Sequence, residues 1–391
     1  MDCDPESLFA QLKCVPDPRR REGRRYCLSA ILGLVVLGTL HGEDALRGIW
    51  VWARYHWSEL WLPLGFGNPS FPAYNTLRNV LARLDANQVD RLMRTWLEHL
   101  LGYPVGGVSA DGKVLRGSRR AAVPGLGVVA LVHQTQGSVL AQEQLRAGEG
   151  EVTALLRLLG AAPLGGRVVT LDAGLTTTAV TQVITERGGD YIGVVKGNQP
   201  EVKQAVDDWV AEQVFPPPLA TADHGPLSAP ALRARRPPDV RTVDKSRGRL
   251  EVRELWLRPA DELGPYLAQE WGWTGVQQVG WLRRRQQRRP GEPWLEEDVT
   301  IISSLSPAEA PPEVMLSLVR QHWCIENRVH WVRDVSFSED QRHGRAIGPM
   351  LAWARNLALT LFRQHGFQFV PDGWRFASAN LGLVLLWLTG T

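Results

Sequence analysis

Three acidic residues stand in short stretches whose other members are mostly apolar or basic, and they are the strongest candidates for chemistry in this chain. Asp111 lies within Val108–Ser118, Asp172 lies within Val168–Ala173, and Glu326 lies within His322–Trp331. Carboxylate oxygens are the ligands that hard divalent cations prefer, and such cations are the usual agents of phosphodiester chemistry. If the fold brings the three acids together, they suit a pair of divalent ions.

A zinc site is the competing interpretation of the stretch around Glu326. His322, Cys324 and His330 lie close to it in the sequence. A closed structural zinc site needs four protein ligands, and no fourth is evident nearby. The pattern therefore favours oxygen ligands over a zinc centre.

Basic residues form three local clusters, although the formal net charge of the whole chain is only +3. A nucleic-acid partner would have to be held by such clusters, because the overall charge is too small. Arginine dominates lysine in all three, which favours phosphate contact, since the guanidinium fork matches phosphate oxygens. A solvated surface remains the alternative for each cluster taken alone. The clusters are Arg19, Arg20, Arg21, Arg24 and Arg25; then Arg116, Arg119 and Arg120; then Arg283, Arg284, Arg285, Arg288 and Arg289.

The composition is that of a soluble globular protein with more than one domain. The chain has 391 residues, of which 44% are hydrophobic and 22% are charged. Its four cysteines include no CxxC pair and suggest no disulfide framework, which suits a reducing cytosol. The apolar run Leu28–Leu40 is too short to cross a bilayer. We therefore expect a cytoplasmic protein without a membrane span.

Residues 1–105 show helical spacing of apolar positions and predict an all-helical domain. The cluster Arg19–Arg25 precedes these helices, and Asn75–Val80 resembles the start of a DNA-binding helix. This combination favours a DNA-binding module. A helical bundle that only packs on the rest of the chain is the alternative.

Residues 106–200 predict three consecutive strands followed by alternating helices and strands, in the order β-β-β-α-β-α-β. Such an order is typical of a mixed sheet flanked by helices. The pattern places Asp111 at the end of the first strand and Asp172 just past the fourth. Neighbouring central strands would then bring the two carboxylates together.

Residues 201–305 interrupt this pattern and predict a β-rich insertion, which begins with a proline-rich stretch over Phe215–Pro238. Residues 306–391 return to helices. One helix is predicted from Pro312 to about Asp334, and on it His322, Glu326 and Arg333 share a face. Basic neighbours would keep Glu326 ionised, as a metal ligand must be.

Together these motifs identify a resemblance that covers nearly the whole chain. The chain resembles bacterial insertion-sequence transposases of the H-repeat-associated group, a branch of the DDE transposases with an RNase H-like core. The matching stretches follow the family's order. They are Pro16–Arg20 with Gly23–Arg25, Asp111–Ser118, Val169–Ala173, Gly189–Tyr191 with Lys196–Gln199, Gly248–Arg253, His322–Trp323 with Ile325–Asn327, His330–Trp331, and Asp334–Asp340.

The resemblance implies that Asp111, Asp172 and Glu326 form a triad that binds two Mg²⁺ or Mn²⁺ ions, with Asp111 bridging them. It implies a transposase-associated N-terminal domain, and an RNase H-like catalytic domain with a β-rich insertion before the last acid. The expected reaction is cleavage of double-stranded DNA at transposon ends and strand transfer to target DNA, by a homodimer or larger assembly.

The expected DNA contacts fall into two groups. Four arginines of the first cluster belong to the helical domain, and four further residues are expected to hold phosphates near the metals; a salt bridge is the alternative for each of these. Packing within the helix is expected for Trp323, His330 and Trp331, with stacking on DNA bases as the alternative. The eight DNA contacts are Arg19, Arg20, Arg24, Arg25, Arg116, Lys196, His322 and Arg333.

Two other functions would use much of the same sequence. A domesticated transposase-derived protein would bind DNA without cutting it, and a metal-dependent nuclease would cut without joining. The retained acids argue against the first. Strand transfer with a pre-cut end separates the second from a transposase.

Overall fold

The computed structural model describes residues 7–102, 105–119, 124–214, 237–246, 248–289, 291–342 and 344–390. The chain divides into two compact units, of which unit 1 comprises Met1–Ala162 with Trp323–Thr391 and unit 2 comprises Pro163–His322. Arg120 and most of the proline-rich stretch Phe215–Pro238 lie outside the described residues.

The N-terminal part of unit 1 is helical, as its apolar spacing predicts. Every residue of its second helix, Leu28–Leu40, is buried, because this helix is apolar all round and other helices cover it. The helices are α1 (Leu8–Lys13), α2 (Leu28–Leu40), α3 (Leu46–Tyr55), α4 (Trp57–Leu60), α5 (Tyr74–Leu81) and α6 (Ala86–Leu100).

Unit 1 continues with a three-stranded antiparallel sheet, in which β2 lies between β1 and β3. The strands are β1 (Gly106–Leu115), β2 (Leu126–His133) and β3 (Val139–Gln144), followed by α7 (Glu151–Ala161). The C-terminal part of the unit adds a π-helical turn (Glu326–His330), α12 (Trp331–Val335), α13 (Gly348–Gln364), α14 (Val370–Ala379) and α15 (Leu381–Thr389).

Unit 2 is built on a six-stranded mixed sheet in the order β4-β5-β9-β8-β7-β6. Strands β4 and β5 are parallel, and the remaining neighbours are antiparallel. The strands are β4 (Arg167–Leu171), β5 (Asp190–Val195), β6 (Val240–Ser246), β7 (Arg249–Pro259), β8 (Gln278–Gln287) and β9 (Leu295–Ser303). The helices are α8 (Thr178–Glu186), α9 (Pro200–Val214), α10 (Leu263–Trp271) and α11 (Pro312–Gln321).

The predicted fold class is confirmed, since mixed sheet strands alternate with helices after a helical N-terminal region. The order β-β-β-α-β-α-β between residues 106 and 195 is also confirmed. The domain limits 1–105, 106–200, 201–305 and 306–391 stay a prediction.

Two local predictions are wrong. Asp111 does not end β1, because pairing with β2 continues to Leu115 opposite Leu126. The single helix over residues 312–334 is interrupted after Gln321, and a π-helical turn follows at Glu326. Cys27 and Cys324 are free thiols.

Candidate functional site

Asp111 lies in the middle of β1, where the strand passes from the core to the solvent. Val108 and Ala110 are fully buried, whereas the Asp111 side chain is 30% exposed. Oδ1 of Asp111 accepts a hydrogen bond from the backbone N–H of Gly112 at 2.8 Å. The second carboxylate oxygen lies 3.6 Å from Nδ1 of His330. β1 thus presents one carboxylate at the edge of the core of unit 1.

Glu326 begins the π-helical turn, in which the backbone N–H of Trp331 donates to the Glu326 carbonyl five residues earlier. Such wide turns occur frequently at functional sites. Ile325 and Val329 are buried in the core and anchor the turn, while the Glu326 side chain is 51% exposed. The buried imidazole of His330 places Nδ1 3.3 Å from Oε2 of Glu326.

The charge of Glu326 is stabilised by its basic neighbours. The hydrogen bond with His330 lowers the pKa of Glu326, burial opposes it, and the charges of His330 and Lys113 lower it further. Lys113 itself is buried, and its Nζ lies 2.5 Å and 2.6 Å from the two carboxylate oxygens of Asp334 on α12. This ion pair joins β1 to the segment that carries Glu326.

The residues around Asp111 fit a divalent ion. One potential ligand atom from each of Asp111, Glu326 and His330 lies within 4.8 Å of the other two. Two carboxylates and an imidazole form a donor set that transition-metal ions such as Mn²⁺ accept, and carboxylates alone suit Mg²⁺. Within the part of the chain that the structure describes, Nε2 of His330 is buried without a hydrogen-bond partner.

Asp172 lies in unit 2, directly after β4, as predicted. Its Oδ1 accepts the backbone N–H of Leu175 at 2.9 Å, and its carbonyl accepts the hydroxyl of Thr176. These bonds fix the turn that follows the strand. A third acid is therefore held at a strand end by local backbone geometry.

Two predicted phosphate contacts of unit 2 differ in their charge. Burial lowers the pKa of His322 to about 4, against the opposing charge of Asp172, and Nδ1 of His322 lies 2.9 Å from the Thr170 hydroxyl. A neutral imidazole cannot neutralise a phosphate at physiological pH. Lys196 is half-exposed and lies 2.9 Å from Glu297.

The other two predicted phosphate contacts, both in unit 1, lie in opposite environments. Arg333 is fully buried and binds both carboxylate oxygens of Glu339 at 3.0 Å. Its contacts are therefore structural in this arrangement. Arg116 is 70% exposed, with Nε 3.7 Å from Asp340, and remains accessible to DNA.

The arginines of the N-terminal cluster also differ in their exposure to solvent. Arg19 is buried and donates two hydrogen bonds to Asp17, at 2.9 Å and 2.7 Å, and Arg24 lies 3.6 Å from the same carboxylate. Burial alone would raise the pKa of Asp17, but the hydrogen bonds from Arg19 and the charges of Arg19 and Arg24 outweigh it and lower that pKa. Arg20 and Arg25 are exposed. Only part of the cluster is thus available for phosphates.

The basic stretch of β8 is largely neutralised by neighbouring strands. Three of its arginines pair with acids on β7 and β9, as cross-strand neighbours of opposite charge do. The pairs are Arg283–Asp298 at 3.0 Å, Arg284–Glu297 at 3.8 Å and Arg285–Glu254 at 3.2 Å.

The aromatic residues around Glu326 depart from the predicted packing. His330 is buried as expected, but Trp323 and Trp331 are both half-exposed. Sequence reasoning also assigned no role to Lys113 or to the Glu339–Arg355 ion pair at 2.8 Å. Lys113 shares a β-strand face with Asp111 at a spacing of two, and that spacing could have revealed it.

Comparison with known protein families then decides the class of this protein. The family described as Transposase DDE domain matches residues 106–361, and the family described as DDE_Tnp_1-associated matches residues 9–97. The chain belongs to the DDE transposase family. The predicted resemblance is confirmed.

Relatives of this DDE transposase carry corresponding names. YncI of Escherichia coli O157:H7, by name a transposase, is 26% identical over 370 residues, covering 92% of this chain and 87% of the relative. YhhI of Escherichia coli (strain K12), by name an H repeat-associated transposase, is 24% identical over 367 residues, covering 91% and 90%. A solved synaptic complex of the piggyBac transposase with hairpin DNA matches with a TM-score of 0.39 and 9% identity, covering 97% of this chain and 78% of that chain.

Family membership makes this DDE transposase an enzyme that acts on DNA and uses divalent metal ions. Asp111, Glu326 and His330 form an acidic group that could hold such an ion. Among the described residues, no helix is both long and apolar enough to cross a membrane.

Proposed function

We propose that this DDE transposase cuts double-stranded DNA at the ends of an insertion sequence and joins the freed ends to target DNA. Asp111, Asp172 and Glu326 would bind two Mg²⁺ or Mn²⁺ ions. The observation that supports this most strongly is the group of Asp111, Glu326 and His330, whose ligand atoms lie within 4.8 Å of one another. When bound, the ions supply an activated water or 3′-hydroxyl and stabilise the leaving oxygen.

Each residue of the proposed site has a distinct task. Asp111 and Glu326 provide anionic oxygens, and the lowered pKa of Glu326 keeps it ionised at neutral pH. His330 orients Glu326 through its hydrogen bond, as partners of metal ligands commonly do. Asp172, fixed by the Leu175 N–H, adds the third carboxylate.

Arg20, Arg25, Arg116 and Lys196 would hold phosphates, because their side chains are accessible. Arg19 and Arg24 would act indirectly, by fixing the turn that presents Arg20. Joining two ends to one target calls for at least two copies, so we propose a dimer or larger assembly on DNA in the bacterial cytoplasm.

A cleavage assay tests the proposal. Duplexes that span the DNA flanking the reading frame should be nicked in Mg²⁺ or Mn²⁺. Asp111→Asn, Asp172→Asn and Glu326→Gln should each remove nearly all cleavage while leaving duplex binding intact, because an amide keeps the size but loses the ligand charge. Asp261→Asn, at an exposed acid of unit 2, is the matched control.

The outcomes separate the alternatives. Any triad variant that cuts at the wild-type rate would show that its residue is not a ligand. Insertion of a pre-cut 3′-hydroxyl end into a plasmid would support a transposase. Cleavage without insertion would indicate a nuclease, and binding without cleavage would indicate a domesticated DNA-binding protein.

A further inference from the structure

Helix α5 of unit 1 has a solvent-exposed face, and the residues on that face are suited to contacting DNA bases. Leu77, Val80 and Leu81 are buried and fix the orientation of the helix. Arg78 and Asn79 are exposed. Among the described residues, neither of these two side chains has a hydrogen-bond or ion-pair partner, so their polar groups are available to a ligand.

A groove lies on each side of α5. The first encloses about 1030 Å³ and runs between the turn at Arg20–Gly23 and the α5 side, which carries Thr76, Asn79 and Arg83. The second encloses about 290 Å³ and is lined by Arg78 together with Arg119 and Arg345. The exposed face of α5 is thus a ridge with basic residues along both flanks.

The flanking arginines carry charge that the protein does not neutralise. Within the described part of the chain, the side chains of Arg20, Arg83 and Arg119 have no ion-pair partner. Glu22 is the acid that lines the first groove, and one carboxylate does not offset Arg20 and Arg83. An anion that extends along both sides of the helix would therefore be attracted.

We propose that α5 enters the major groove of duplex DNA, with Arg78 and Asn79 facing base edges and with Arg20, Arg83 and Arg119 facing phosphates on the two sides. This inference rests on the proposed function, since it states how the enzyme selects its DNA. A helix with its side chains is about 10–12 Å wide, and the major groove of B-DNA is about 12 Å wide.

The exposed side chains also indicate which bases are read. Arginine forms paired hydrogen bonds with O6 and N7 of guanine, and asparagine pairs with N6 and N7 of adenine. The preferred site should therefore contain guanine and adenine at adjacent or nearly adjacent positions. Duplex RNA should not fit, because its major groove is too deep and narrow for a helix.

A binding experiment with randomised DNA tests the proposal. The wild-type full chain selects from a library of random 20-base-pair duplexes in EDTA, which prevents cleavage. Affinities are then measured for the most enriched duplex, a scrambled duplex of equal composition and duplex RNA of the selected sequence. Arg78→Lys keeps the charge and loses the paired hydrogen bonds. It should reduce discrimination between selected and scrambled DNA by roughly 5- to 150-fold.

The phosphate contacts should respond differently. Arg20→Ala and Arg83→Ala should weaken binding to both DNA duplexes equally, and each should reduce the slope of log affinity against log salt by about 0.9. Arg375→Ala, at an exposed arginine of α14, is the matched control and should change neither quantity.

The inference would be overturned if Arg78→Lys discriminated between selected and scrambled DNA as well as the wild type does. It would also be overturned if the selection enriched no duplex, or if duplex RNA bound as tightly as the selected DNA. The cleavage assay shows independently of this binding experiment whether the proposed function fails. If Arg78-dependent discrimination is found but Mn²⁺ produces no cleavage, the recognition helix stands and the catalytic proposal falls. If cleavage depends on Asp111 while Arg78→Lys keeps full discrimination, only the recognition helix falls.

Discussion

The side chain of His322 shows how burial changes what a single residue can do. Burial lowers its pKa to about 4; the charge of Asp172 raises it and that of Arg284 lowers it. The ring is therefore neutral near pH 7, and it shares a hydrogen bond with the Thr170 hydroxyl. A neutral ring can orient a neighbour but adds no positive charge at a phosphate, and the predicted phosphate contact of His322 stays a prediction.

This assignment predicts a pH dependence of stability. An unfolded histidine takes up its proton near pH 6.5, whereas His322 in the folded chain does so near pH 4. The unfolded state therefore binds more protons between these values. The stability that His322 contributes should be complete above pH 6.5 and should fall by about 2 kcal/mol between pH 7.5 and 5. His322→Gln should lose that part of the decline.

Urea unfolding of both proteins at pH 7.5 and 5 measures the difference, and NMR titration of the imidazole proton measures the pKa directly. His99→Gln, at an exposed histidine, is the control and should keep the wild-type decline. A His322 resonance that titrates near pH 6.5 would contradict the assignment and restore the residue as a phosphate contact.

Among the elements of unit 1, a buried cluster of ion pairs on Glu339 and a neighbouring pair on Asp340 connect the segment after Glu326 to the rest of the unit. Arg333 on α12 and Arg355 on α13 both bind Glu339, and all three are buried. Burial alone would raise the pKa of Glu339, but the charges of the two arginines outweigh it and lower that pKa. In the neighbouring Arg116–Asp340 pair, the arginine side chain is 70% exposed.

The buried cluster and the exposed pair predict different effects of substitution. Arg333→Met should reduce the free energy of unfolding by about 3–5 kcal/mol, because it removes a partner from a buried pair. Arg116→Ala should cost less than about 1 kcal/mol, because solvent screens its pair, yet it should weaken DNA binding. Chemical unfolding and duplex binding of both variants check this. A stable Arg333→Met variant with weakened DNA binding would instead place Arg333 at the DNA.

The same segment shows where sequence reasoning succeeds and where it stops. Apolar periodicity predicted the strands and helices between residues 106 and 195, because burial of alternating or helical faces determines that pattern. The isolation of single acids among apolar and basic residues singled out Asp111 and Glu326, and these two side chains do lie together. The sequence could not show that Arg333 is buried and Arg116 exposed, because local sequence does not reveal which arginine will contact a buried carboxylate. Nor could it foresee the π-helical turn, which preserves helical apolar spacing.

At the scale of the whole molecule, the proposed metal ligands belong to different parts of the chain. Asp111 and Glu326 lie in unit 1, and Asp172 lies in unit 2. Ligands that bind only the folded state stabilise it, by about 2.7 kcal/mol at a concentration of 100 times the dissociation constant. Mn²⁺ should therefore raise the melting temperature of the metal-free wild-type protein.

The triad predicts which variants lose that stabilisation. Asp111→Asn and Asp172→Asn should both remove most of the shift that Mn²⁺ produces, because each deletes a charged ligand, whereas Asp261→Asn should keep it. Differential scanning fluorimetry over a Mn²⁺ series, without DNA, measures the shift independently of catalysis. If Asp172→Asn retained the full shift while Asp111→Asn and His330→Gln both abolished it, the ion would be held by Asp111, Glu326 and His330 alone, and Asp172 would not be a ligand.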